Sequence, residues 1–347
     1  MKRMRRLECP SCGQRVFFEN FRCLACGQAF GFDPLRLCMA PLGPSGMACA
    51  HREGTVSCNW LLPRGEQGPL CRSCRLTRTL PDLSAPGSAE NLRVIEQDKR
   101  RLLHGLIRLG LEPISGDMRF DILADPQAMA GGPPTIPMGH QNDLITLNLA
   151  EADPGYRERT RTELDESYRT VLGHLRHESG HYFWSRLVAA DGDGLARFRE
   201  LFGDERSDYG AALARHYARG GTGFDQERFV SAYAGSHPLE DWAESWAHLL
   251  HVLDTLESAR SMHLRDDETG KRMPDPYAEP DMRVLLQRFS RLTLLLNELN
   301  RALGLADAYP FVLGDGVVAK LAFIHEIVQV RQQIPDPPGG APGIGTG

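Results

Sequence analysis

Two histidines four residues apart with a glutamate between them, in His177-Glu178-Ser179-Gly180-His181, are the residues of this chain best suited to chemistry. On an α-helix such positions lie one above the other on one face, so both imidazoles can grip one Zn²⁺ while Glu178 turns toward a water on the ion. A hydrolytic site of this kind takes a third protein donor and keeps its fourth position for water, whose pKa the ion lowers toward neutrality. Glu178 would take the proton of that water and later deliver it to a leaving amine. The same five residues could be a chance match in a buried helix, and a third ligand is what separates the two readings.

The best source of that ligand is the stretch from Tyr233 to His248. Pro238 suits the first turn of a helix, on which Glu240 and Glu244 stack on one face. Carboxylates that close repel each other unless a cation or a histidine proton lies between them. Glu240 on the metal and Glu244 on the far nitrogen of His177 or His181 would give each a partner. The plain alternative is a solvated acidic helix face. His174 shares the face of His177 and His181 but comes one turn too early, so it reads as packing or support. His237, His248 and His251 flank the carboxylate helix, and Trp242 and Trp246 read as core.

All 9 cysteines fall between Cys9 and Cys74. Cys9-Pro10-Ser11-Cys12 and Cys23-Leu24-Ala25-Cys26 each place two thiolates on a tight knuckle, with Gly13 and Gly27 where the chain must turn and Val16-Phe17-Phe18 as a short strand between. Four thiolates close a tetrahedral structural zinc site, with iron or a redox role as alternatives. So small a unit cannot fold on apolar burial alone, and metal binding would supply its folding energy. Cys49, Cys58, Cys71 and Cys74 form a second cluster, in which His51 competes with Cys49 as fourth ligand. Cys38 is left over as a small buried hydrophobe. The expected cofactors are therefore three Zn²⁺ ions, one catalytic and two structural.

The 347 residues carry a formal charge of −5, unevenly spread: residues 1 to 80 hold 12 Lys/Arg against 5 Asp/Glu. The balance argues against a protein devoted to nucleic acid, leaving the basic N-terminal modules as the one place where it could bind. The basic segment could still meet an acidic partner, although few aromatics are interleaved with its arginines. No run of eighteen apolar residues occurs, and Met1-Lys2-Arg3-Met4-Arg5-Arg6 leads into cysteines in place of an apolar leader core. The expectation is a soluble cytoplasmic protein that makes no membrane contact and acts on a peptide or protein substrate. The oligomeric state is not legible.

Around these groups, Asn91 to Leu109 reads as an amphipathic helix with Leu92, Ile95, Leu102, Leu103, Leu106 and Ile107 on its apolar face. Phe120 to Leu123 and Leu144 to Leu149 alternate like strands, and the pattern from Pro154 to about Leu187 is helical. Gly194 to Arg219, Gln226 to Tyr233, Pro238 to Arg260 and Asp281 to Leu303 also read as helices. The stretch from Pro335 on is Pro/Gly-rich and expected to be disordered.

The His177 to His181 motif with a downstream Glu is similar to the gluzincin arrangement of metallopeptidases. A Tyr seven residues ahead of Glu-x-x-x-Glu also resembles the active site of anthrax lethal factor-like peptidases. That resemblance implies Glu240 as ligand and Tyr233 as a donor to the oxyanion. The whole chain resembles a bacterial family of zinc-binding metallopeptidases with an N-terminal zinc ribbon. The likeness rests on Cys58-Asn59-Trp60, Cys71-Arg72-Ser73-Cys74, Arg78 to Leu83, Leu201-Phe202-Gly203-Asp204 and His237 to Glu244, and it spans nearly all of residues 5 to 335. It implies a mainly helical α+β fold. Residues 1–34 would be a four-cysteine zinc ribbon, 35–86 a second Cys-rich zinc module, 87–334 a zincin-like domain with a short sheet, and 335–347 a tail. It brings no substrate. The competing reading is a binding protein whose ribbons take a protein or nucleic-acid partner, with a silent metal site closed by a fourth protein ligand such as His174 or His237.

Overall fold

The computed structural model describes residues 7–43, 46–63, 65–111, 117–136, 138–163, 166, 168–218, 224–266 and 269–333. The expected disordered tail from Pro335 lies outside the described residues. The architecture is the mainly helical α+β arrangement with short sheets, and one hydrophobic core runs from the Cys-rich segment through the helices.

The first four cysteines sit on two copies of one turn. Cys9 N donates to Gln14 O and Cys23 N to Gln28 O, while Gly13 (φ 73°) and Gly27 (φ 74°) donate back to the carbonyls of Cys9 and Cys23. Positive φ is where a side chain is strained, which accounts for both glycines. The strand expected at Val16 to Phe18 does not form; the nearest pairing is an isolated bridge between Glu8 and Arg15. Strands β1 (Phe30–Asp33) and β2 (Cys38–Pro41) form a hairpin, and β3 (Met47–Ala48) pairs with β4 (Leu61–Leu62). Helix α1 (Arg72–Arg75) leads into β5 (Thr77–Thr79).

β5 joins the second Cys cluster to the main sheet, whose order is β5, β6 (Arg119–Leu123), β8 (Leu144–Asn148), β7 (Gly139–Gln141). β6 and β8 are parallel and β7 is an antiparallel edge. Parallel strands need a crossover, and a short helix α3 (Pro126–Met129) lies in it. Helix α2 (Ser88–Arg108) buries all six of its predicted apolar residues. It is pinned to β5 by Thr77, whose hydroxyl donates at 2.7 Å to Glu96, itself paired with Lys99 of the same helix at 2.7 Å.

α4 (Pro154–Glu163) precedes α5 (Val171–Leu187), which carries the histidine motif and is capped by Thr170 Oγ1 accepting from Gly173 N at 2.9 Å. α6 (Gly192–Phe202), α7 (Tyr209–Ala218), α8 (Pro238–Ser261), α9 (Met282–Ala302) and α10 (Asp315–Gln333) complete the chain. Helices α5 and α8 cross with little between them. A Cβ on Gly180 would stand 3.0 Å from Ala243 Cα and 3.1 Å from Trp246 Cδ1. Trp242 Nε1 donates to Gly180 O at 2.9 Å and Trp246 Nε1 to Ser179 Oγ at 3.0 Å. The two residues between Glu178 and His181 thus form the seam that brings α5 against α8. Among the described residues no helix is long and apolar enough to cross a membrane.

Two of the expected helices need correction, and one helix was not expected. The helix expected over Gly194 to Arg219 is two helices, broken at Gly203 (φ 106°) and the Asp204 to Asp208 loop. Gln226 to Tyr233 is not helical. Its backbone is held instead by the start of α10, where Gly316 N donates to Glu227 O at 3.0 Å and Lys320 Nζ to Arg228 O at 2.5 Å. Helix α10 itself was not anticipated. It buries Val317, Leu321, Ile324 and Val328, and its Lys320 reaches Asp241 at 2.6 Å.

Candidate active site

The α5–α8 seam sets His177 and His181 against Glu240. His177 Nε2 lies 3.0 Å from Glu240 Oε2 and 3.2 Å from His181 Nε2, and His181 Nε2 lies 3.5 Å from the same oxygen. Donors held at about 2.0–2.1 Å around one tetrahedral Zn²⁺ stand roughly 3.3 Å apart, so the three atoms fit such an ion. Electron pairs converging this closely need positive charge among them, which is the second part of the fit.

The electrostatics agree. Burial opposes a charge on His177, but Glu240 and Glu244 outweigh it and draw its proton affinity well above the histidine range. Glu240 loses the opposite contest: burial would push its carboxyl up, and the two imidazoles hold it far below the usual range. Glu244 Oε1 lies 2.8 Å from His177 Nδ1, the nitrogen that faces away from Glu240. That bond favours a proton on Nδ1, so that a cation in the cluster would meet the Nε2 lone pair. The other oxygen of Glu244 accepts from Ser231 Oγ at 2.7 Å.

Glu178 is buried beside the cluster, and burial pushes its carboxyl up, against the pull of His177 and His181. Tyr233 follows the turn that Ser231 anchors, its ring 5.8 Å from that of His177. Neither histidine considered as a fourth ligand belongs to the donor cluster of His177, His181 and Glu240. His174 Nε2 faces Glu151 at 3.7 Å, while His237 caps α8, accepting from Leu239 N at 3.1 Å with its other nitrogen against Ser207 O. His248 is buried against Tyr309, with Nδ1 2.7 Å from the phenol oxygen, and the ring of His251 packs on Tyr309 and Phe289.

Three neighbours were missed by sequence reasoning. Tyr209 Oη donates to Glu240 Oε1 at 2.8 Å. Ser231 holds Glu244, as above. His140 on the edge strand β7 stacks on His181, with rings 6.4 Å apart and 13° from parallel. Each comes from a separate element with no motif around it; only the short spacing of Ser231 from Tyr233 could have hinted at one of them.

The cysteines gather in two groups, Cys9, Cys12, Cys23, Cys26 and Cys49, Cys58, Cys71, Cys74, each with its sulfurs within 4.8 Å of one another. Cys9–Cys26, Cys12–Cys23 and Cys58–Cys71 sulfurs are 3.6, 3.7 and 3.5 Å apart. That is too far for a disulfide and close to the edge of about 3.8 Å expected for thiolates at roughly 2.3 Å from zinc. Cys49, not His51, joins the second group, and Cys38 is buried outside both.

Residues 88–327 match the family model described as "Putative zinc-binding metallo-peptidase", and residues 6–85 match a zinc-ribbon domain. The chain belongs to this zinc-binding metallopeptidase family. The ribbon match runs across both cysteine groups, and the metallopeptidase match contains every residue of the histidine and carboxylate cluster. Uncharacterized proteins of Mycobacterium bovis and Mycobacterium tuberculosis are 42% identical to the chain over 329 residues, 94% of this chain and 95% of each relative. No solved structure matches it.

Proposed function

We propose that the chain is a zinc-dependent peptidase in which His177, His181 and Glu240 hold the catalytic ion, and that the two groups of four cysteines hold structural zinc. The observation that carries the reading is the convergence of three donor atoms within 3.5 Å, with Glu244 fixing the tautomer of His177 from behind. Among the described residues neither His174 nor His237 joins the donor cluster, which favours an open catalytic position over a closed structural site.

Bound there, Zn²⁺ supplies a Lewis acid that acidifies a water and polarises a peptide carbonyl. Glu178, with a carboxyl raised by burial, would act as the general base that takes up a proton from the attacking water and returns it to the leaving amine. Tyr233 stays a neutral donor, because burial and the nearby Glu240 push its phenol far above the ordinary range, and its hydroxyl serves the developing oxyanion. The edge strand β7, beside α5, offers main-chain groups to an extended substrate. We place the protein in the cytoplasm, where reduced thiols persist to bind zinc.

The test is digestion of a broad peptide library by the zinc-replete protein and by Glu178→Gln. Cleavage by the wild type alone, at equal zinc content, supports the assignment. Equal turnover by the variant would remove Glu178 from its role, and an intact library with the zinc-replete wild type would overturn the peptidase reading.

A further inference from the structure

Glu240 is fully buried and both of its oxygens are committed. Oε2 faces His177 and His181, and Oε1 accepts from Tyr209 at 2.8 Å. A carboxylate with two free oxygens can bind a cation through one or both. A donor on Oε1 draws charge from that oxygen, fixes the carboxylate plane, and leaves Oε2 as the one facing the histidines.

Tyr209 reaches this oxygen from α7, a helix with little other hold on the protein. Ala212 is its buried residue among those described, and Tyr209 itself is 44% exposed. The ring of Tyr209 meets that of His237 edge to face at 5.1 Å. His237 in turn caps α8, the helix that carries Glu240, and bonds Ser207 just before α7. At the other end of α7, His216 packs edge to face on Tyr233 at 5.6 Å. The start of α7 is thus stitched to the start of α8 at the residue that faces the histidine pair.

We propose that Tyr209 is a positioning residue for the metal centre, holding Glu240 Oε1 so that the carboxylate presents Oε2 alone to the ion. The inference rests on Glu240 being a zinc ligand. The phenol is well suited to the task. As a phenol it keeps an O–H to donate at neutral pH, and Tyr209 Oη already stands 2.8 Å from Glu240 Oε1.

The experiment measures Zn²⁺ affinity of the full chain by chelator competition with the cysteine sites loaded, for wild type, Tyr209→Phe and His181→Ala. Phe keeps the ring against His237, so the comparison isolates the hydroxyl. Tyr209→Phe should weaken Zn²⁺ binding by roughly tenfold, the lower end of what loss of a supporting hydrogen bond costs a metal site. With Co²⁺ in the same site, the visible absorption of Tyr209→Phe should weaken as a second carboxylate oxygen enters the coordination sphere. Wild-type affinity and spectrum in Tyr209→Phe, with binding lost in His181→Ala, would overturn the role of Tyr209 and leave the site standing. Unaltered binding in His181→Ala would instead overturn the site.

Discussion

His177 and Glu244 are joined through the nitrogen that faces away from the donor cluster, Nδ1 to Oε1 at 2.8 Å, across the seam between α5 and α8. In the proposed metal centre this bond would set the imidazole tautomer and the angle of the ring, so that an α8 residue outside the cluster would govern how an α5 residue meets a cation. Glu244→Ala leaves Nδ1–H without its acceptor and frees the ring to turn. Zinc affinity at this site should fall roughly 10- to 100-fold, measured by chelator competition. An unchanged affinity would mean that packing alone orients His177.

The seam itself can be tested at Gly180. An added methyl would meet the backbone of Ala243 at 3.0 Å and Trp246 at 3.1 Å, where neither can withdraw freely. Gly180→Ala gains helix propensity of about 1 kcal/mol, while overpacking of this kind costs about 1–3 kcal/mol. The variant should unfold at lower denaturant concentration and bind zinc more weakly, because its donors are pushed apart. A gain in stability with unchanged zinc binding would show that α5 and α8 part without cost.

The joint between the ribbon and α2 carries a pH dependence. His104 is buried against Phe18 and Phe32, and burial lowers its pKa from 6.5 to about 4. The unfolded chain therefore binds this proton more readily than the folded one. The associated stability is complete above pH 6.5 and is lost progressively as the pH falls toward 4. Between pH 7 and pH 5 the loss is about 2 kcal/mol, given about 1.4 kcal/mol per pKa unit. His104→Phe removes the titrating group, so its stability relative to wild type should rise by that amount over the same interval in excess zinc. A difference that stays constant with pH would contradict the assignment.

Much of the site was legible because its parts are local. His177, Glu178 and His181 share one helix face, as do Glu240 and Glu244, and Pro238 marks where their helix begins. The knuckles were legible for the same reason, each closed within six residues by one glycine turn. The contributions of Tyr209, Ser231 and His140 were not, because they reach the cluster across the fold from α7, a turn and an edge strand. The helix expected at Gln226 to Tyr233 failed on the same principle. Its local pattern was overruled by the start of α10, where Gly316 and the preceding Gly314 let the backbone at Glu227 approach closely. Nor did the sequence reveal that β5, just after Cys74, is a strand of the main sheet, a pairing set by Phe120 more than forty residues away.

The most direct test of the account is zinc per chain, by elemental analysis of wild type and His181→Ala purified in parallel. Three donor groups predict three zincs in the wild type and two in the variant, with the cysteine sites undisturbed. Two zincs in both proteins, unchanged after incubation with added zinc, would contradict a metal centre at His177, His181 and Glu240.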